Sequence, residues 1–90
     1  MNRQRSRVVV SGLVQNVWYR DSCRSEALAR GLAGWVQNRS DGKVEAVFEG
    51  PPSAVEEMIA WCHVGPPRAQ VDDVEVSGEP VRDEAGFAIR

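Results

Sequence analysis

Arg7-Val8-Val9-Val10 leads, within a few positions, through Gly12 into a segment rich in helix formers. That junction constrains the fold more than any other feature of the chain. β-Branched residues favour extended backbone, and three consecutive valines predict a strand from Arg7 to Leu13 with little water on either face. Past a bend at Gln15-Asn16, the span Asp21 to Arg30 carries Cys23, Ala27 and Leu28 as a partial helical stripe, and Gly31 is placed to stop it. A strand that turns tightly into a helix leaves main-chain N–H groups without partners at the helix start. Those groups, with the positive end of the helix dipole, favour an anion, phosphate above all. Arg20 stands where that helix begins, and a guanidinium is always charged and matches phosphate in two-pronged fashion. The same spacing also suits a solvated arginine, so position alone leaves both readings open.

Leu32 to Asn38 reads as a second strand, Arg39-Ser40-Asp41-Gly42 as a hairpin turn, and Lys43 to Glu49 as a third strand. In that third strand Val44, Ala46 and Phe48 alternate with Glu45, Val47 and Glu49, which predicts one dry face and one mostly wet. Gly50-Pro51-Pro52 ends it. Ser53, with Glu56 three residues on, makes a capping-box pattern, and Val55, Met58, Ile59 and Cys62 recur at helical spacing as a core stripe. Gly65-Pro66-Pro67 stops this second helix. Val71, Val74 and Val76 mark a fourth strand with an acidic outer face, 78–86 is a polar connection, and Phe87 and Ile89 alternate as a short last strand. Residues 1–6 read as a flexible N-terminal tail in which Arg3 and Arg5 are solvated, and residues 7–90 as a single domain. Strand, helix, strand, strand, helix, strand is the ferredoxin-like βαββαβ plan. The expected class is an α+β sandwich, an antiparallel sheet of four to five strands with two helices on one face.

The 90 residues carry a net charge of −2, unevenly spread: residues 1–50 hold eight Lys or Arg against five acids, and residues 51–90 hold three against eight. A positive first half would draw in an anionic ligand, but nothing is basic enough to make nucleic acid the main partner. No apolar run is long enough to span a bilayer and the N-terminus has no signal-peptide character, so a cytoplasmic protein is expected. Cys23 and Cys62 fall on the two helices, too far apart for a CxxC pair and without clustered His for a metal, and read as buried reduced thiols. His63, the only histidine, sits beside the Gly-Pro-Pro stop and reads as a helix-end surface residue rather than a base.

Val10-x-Gly12-x-Val14-Gln15-x-Val17-x-Tyr19-Arg20 resembles the first signature of the acylphosphatase family. Gly34-Trp35-Val36-Gln37-Asn38, followed by Gly42-x-Val44 and Gly50, resembles the second, in the family's order. Gly65-Pro66-Pro67, Val71, Val74 and Phe87-x-Ile89-Arg90 are similar to its tail, so the likeness spans nearly the whole chain. The resemblance implies the ferredoxin-like fold and a hydrolase that splits small acyl phosphates into a carboxylate and inorganic phosphate without metal or cofactor. The main-chain N–H groups of Gln15, Asn16, Val17, Trp18, Tyr19 and Arg20 would cradle the phosphate, the Arg20 side chain would grip its oxygens, and Asn38 would orient the attacking water. An amide suits that task because it donates and accepts without acting as a base. With no base at hand, a phosphate oxygen of the substrate would take the proton. The expected partners are the acyl phosphate and inorganic phosphate, with no nucleic acid and no membrane, and the expected state is a monomer.

Taken without the second signature, Asn38 is a turn residue before a hairpin. Trp18, Tyr19 and Trp35 either wall the site or are core or sheet-face aromatics. The chain also departs from the family pattern. Asn16 replaces a usual Gly and is the least costly substitute if that position needs positive φ. Tyr19 replaces Phe, Arg30 replaces Leu, and Asp21 sets a carboxylate beside the anion site. Two other readings share the element order. One is a non-catalytic ferredoxin-like module binding a phosphorylated metabolite. The other is an RNA-recognition domain, whose third strand should carry a basic-Gly-aromatic motif that Lys43 to Glu49 lacks.

Overall fold

The computed structural model describes residues 2–90. Its elements run β1 (Gln4–Leu13), α1 (Tyr19–Ala29), β2 (Ala33–Asn38), β3 (Val44–Gly50), α2 (Pro52–Val64), β4 (Gln70–Glu79) and β5 (Phe87–Ile89). The strands form one sheet in the order β4-β1-β3-β2-β5. All neighbouring pairs are antiparallel except β2–β5, which is parallel, so the sheet is mixed rather than wholly antiparallel. The ferredoxin-like α+β architecture is as expected.

Register explains which face is dry. Val8 lies opposite Ala46 and Val10 opposite Val44, while Val36 also faces Ala46. These residues share one core with Tyr19, Cys23 and Ala27 of α1 and Val55, Met58 and Cys62 of α2, so both helices cover the same face. Fully burying a side chain of this size contributes about 1.5–3 kcal/mol, and this stripe is the main source of stability. Gly34 makes the β2–β3 contact possible: at φ 139° it lies so close to β3 that an added Cβ would fall 1.8 Å from the Val47 carbonyl oxygen.

The opposite face is not wet. Every residue of β3 is buried, Glu45 and Glu49 included. The reason is β1, which begins at Gln4 rather than Arg7 and brings Arg5 directly opposite Glu49. Arg5 is only 3% exposed, not solvated, and its guanidinium meets Glu49 at 3.1 Å, Glu79 at 2.9 Å and Glu84 at 3.2 Å. Arg3 reaches Glu49 at 3.2 Å, and Arg7 pairs with Glu45 and Glu79. The 80–86 connection folds over this layer, with the Arg82 and Glu84 N–H groups donating to Glu49, each at 2.9 Å. Burial pushes the Glu49 carboxyl up, but those N–H groups and the Arg5 and Arg3 guanidinia outweigh it and hold it down at about 2.

Two helix ends differ from the sequence pattern. Ser53 does not cap α2; the helix starts at Pro52, a favoured first position, and Glu56 instead accepts a bond from Gln4 at 3.3 Å. α1 begins at Tyr19 rather than Asp21, because Tyr19 turns inward and buries. Its hydroxyl donates at 2.8 Å to the Cys62 carbonyl, which α2 itself leaves free because Pro66, four residues on, has no N–H. Arg30 bonds Glu26 at 2.7 Å and reaches Glu57 at 3.4 Å, linking α1 to α2 where a Leu would only pack. Cys23 and Cys62 are buried and unbridged; burial pushes the Cys23 thiol well up and that of Cys62 up to about 12.

Candidate active site

The site forms where β1 leaves the sheet. A bulge between Ser11 and Gly12 shifts the register against β4, and Gly12, at φ 125°, would put a Cβ 2.2 Å from the Gln70 carbonyl oxygen. The chain then alternates. Val14, Val17 and Tyr19 bury in the core, while Asn16 and Trp18 face outward. Both outward residues are left-handed, Asn16 at φ 62° and Trp18 at φ 67°. Asn16 thus occupies the positive-φ position at which Asn is the least strained alternative to Gly. Among the described residues no acceptor takes the N–H groups of Gln15, Asn16, Val17 or Trp18. The first main-chain bond after the loop runs from Ser22 to the Trp18 carbonyl at 3.1 Å. Trp18 supplies no side-chain cap, and among the described residues the N–H groups of Tyr19, Arg20 and Asp21 also find no acceptor. Unpaired amides beside left-handed residues make an anion-binding concavity.

A cavity of about 440 Å³ opens beside this loop. Arg20, Asn16, Trp18, Tyr19 and Asn38 all line it, which brings the two side chains singled out in the sequence into one space. The Arg20 guanidinium donates to the main-chain oxygen of Arg90 at 3.3 Å. Asn38 ends β2, and among the described residues its side chain makes no hydrogen bond. Turn chemistry belongs instead to Asp41, whose carboxylate accepts the Lys43 N–H at 3.1 Å and is held below its ordinary value by that bond first of all. Gln15 and Val17 do not line the cavity. Val17 is buried, and the Gln15 amide bonds the 39–43 turn. Trp35 lies on the far face of the sheet with the Arg90 guanidinium 4.3 Å from its ring centroid, so it is a sheet-face aromatic and not a site wall. His63 is exposed at the end of α2 and bonds the Ile59 carbonyl oxygen at 3.0 Å.

Three further lining residues were not singled out from the sequence for the site: Val14, Ile89 and Arg68. Arg68 follows the Gly-Pro-Pro stop, and a lone surface arginine in a loop carries no local signal of what it faces.

The acylphosphatase family model matches residues 6–89. The chain belongs to the acylphosphatase family. Among curated relatives, the acylphosphatase of Haloquadratum walsbyi is 56% identical, over 98% of this chain and 95% of its own. That of Rubrobacter xylanophilus is 54% identical over 97% and 80%. Among solved structures, an acylphosphatase from Coxiella burnetii superposes with a TM-score of 0.95 at 38% identity, over 99% of this chain and 94% of that one. Family and relatives together support acylphosphatase activity, and no observation favours a non-catalytic module on the same fold.

Proposed function

We propose that this acylphosphatase-family chain hydrolyses the carboxyl–phosphate bond of small acyl phosphates with Arg20 and Asn38 as its catalytic side chains. The supporting observation is that Asn16 and Trp18, whose N–H groups find no acceptor among the described residues, line one cavity together with Arg20 and Asn38. The phosphoryl group sits on the N–H groups of Gln15 to Arg20, with the helix dipole behind them. Arg20 takes the oxygens that gain charge as the group passes to water. Asn38 holds the attacking water through its carboxamide. The P–O bond to the acyl oxygen breaks, the carboxylate leaves with the electron pair, and the water proton passes to a phosphoryl oxygen. A carboxylate leaves readily, so no general acid is needed, in keeping with His63 standing outside the cavity. Positioning and charge complementarity then supply the rate.

No metal or cofactor enters this scheme. The proposed setting is a cytoplasmic monomer; no helix of the described residues is long and apolar enough to cross a membrane.

The test is hydrolysis of benzoyl phosphate and of a phosphate monoester, each with excess chelator. Turnover of the first, with little or none of the second, is expected. Loss of activity in chelator, or equal rates on both, counts against the scheme.

A further inference from the structure

Resting on that reading, we propose that Arg68 selects acyl phosphates whose acyl group carries a second anionic group, such as a terminal carboxylate. The charged residues lining the cavity are Arg20, Asp21 and Arg68, so its wall keeps a net positive charge after Asp21 is counted. The transferred phosphoryl group already has its complement in the loop amides and Arg20. Arg68 comes from a different element, the connection between α2 and β4, and is surplus to that complement. It also stands out against its background. Residues 51–90 hold three arginines and eight acids, yet among the described residues no carboxylate pairs with Arg68. An unneutralised cation on a concave wall concentrates anions there. The cavity, about 440 Å³, lies within the size range of sites for ligands well beyond a two-carbon acyl phosphate, about 300–1,000 Å³. The part of a longer substrate left to face Arg68 is the acyl chain.

The experiment compares kcat/KM for succinyl phosphate and benzoyl phosphate in the wild type, Arg68→Ala, Arg68→Lys and Arg68→Glu. The expected result is that the succinyl-to-benzoyl ratio falls about fivefold in Arg68→Ala, the scale of one exposed ion pair. It falls further in Arg68→Glu and is largely kept in Arg68→Lys. An unchanged ratio in Arg68→Ala and Arg68→Glu overturns the assignment of Arg68 while leaving acylphosphatase activity standing. Absence of wild-type turnover on both substrates overturns that activity and this inference together.

Discussion

The side-chain amide of Gln15 donates to the main-chain oxygen of Arg39 at 2.7 Å, and also to that of Lys43 at 3.0 Å. One residue of the loop proposed to hold the anion thereby fastens the β2–β3 turn, whose first residue, Arg39, follows Asn38 directly. Within the turn the Arg39 N–H donates to the Lys43 oxygen at 2.8 Å and the Gly42 N–H to the Arg39 oxygen at 3.2 Å, so Gln15 bonds both oxygens that accept within the turn. The loop proposed to hold phosphate and the strand end proposed to hold water are therefore one mechanical unit.

Gln15→Ala is expected to lose about 1–2 kcal/mol of stability, the scale of two partly buried hydrogen bonds. It is also expected to lower kcat more than it weakens phosphate binding, because Asn38 loses its fixed position. Thermal melts and steady-state kinetics check both; wild-type kcat in this variant would show that the turn holds Asn38 without Gln15.

Arg20→Ala and Asn38→Ala should fail differently. Removing Arg20 is expected to abolish measurable phosphate inhibition and to cut kcat/KM by at least about a hundredfold, as loss of a main charge-stabilising donor does. Removing Asn38 is expected to lower kcat by a similar factor while phosphate still binds. Titration calorimetry with inorganic phosphate separates the two, and matched losses of binding in both variants would refute separate roles.

At position 16 the backbone sets the tolerance. Asn16→Gly should keep wild-type stability or slightly exceed it, whereas Asn16→Val should lose about 1–2 kcal/mol, since a β-branched residue resists φ near 62°. For a chain of this size each kcal/mol moves the melting temperature by about 4–8 °C. Equal melting temperatures for the Gly and Val variants would contradict a left-handed residue there.

Acid should act through Glu49. Its folded-state value of about 2 lies below its ordinary 4.5, so its contribution is complete above pH 4.5 and is lost as pH falls towards 2. A gap of that size corresponds to roughly 3 kcal/mol. Urea midpoints measured between pH 6 and 2 should fall steeply for the wild type, and the curve for Glu49→Gln should be flatter. Parallel curves would mean that Glu49 does not govern acid stability.

The candidate site was legible where its chemistry is local. Gln15 to Arg20 is one short stretch, and Asn38 carries its signature beside the Asp41-Gly42 turn. That Asn suits position 16 if the backbone there has positive φ was legible from a single substitution in a known pattern; the φ of 62° itself came from the structure. Trp18, at φ 67° as well, gave no such signal, because nothing in a tryptophan announces a left-handed backbone. Arg68 escaped notice because what it faces depends on how the α2–β4 connection folds back beside α1.

The amino-acid sequence by itself determined the element order, the helical stripes that bury Cys23, Val55, Met58 and Cys62, and the family signatures. These are encoded at separations of a few residues, where periodicity and turn chemistry act directly. Tertiary structure alone decided that Arg5 is a buried partner of Glu49, Glu79 and Glu84 rather than part of a solvated tail. It likewise decided that the second face of β3 is dry and that β5 joins β2 in parallel. Arg5 and Glu79 stand 74 residues apart, and a charge shows no local pattern by which to know its partner. Only the register of β1 between β3 and β4 brings them together.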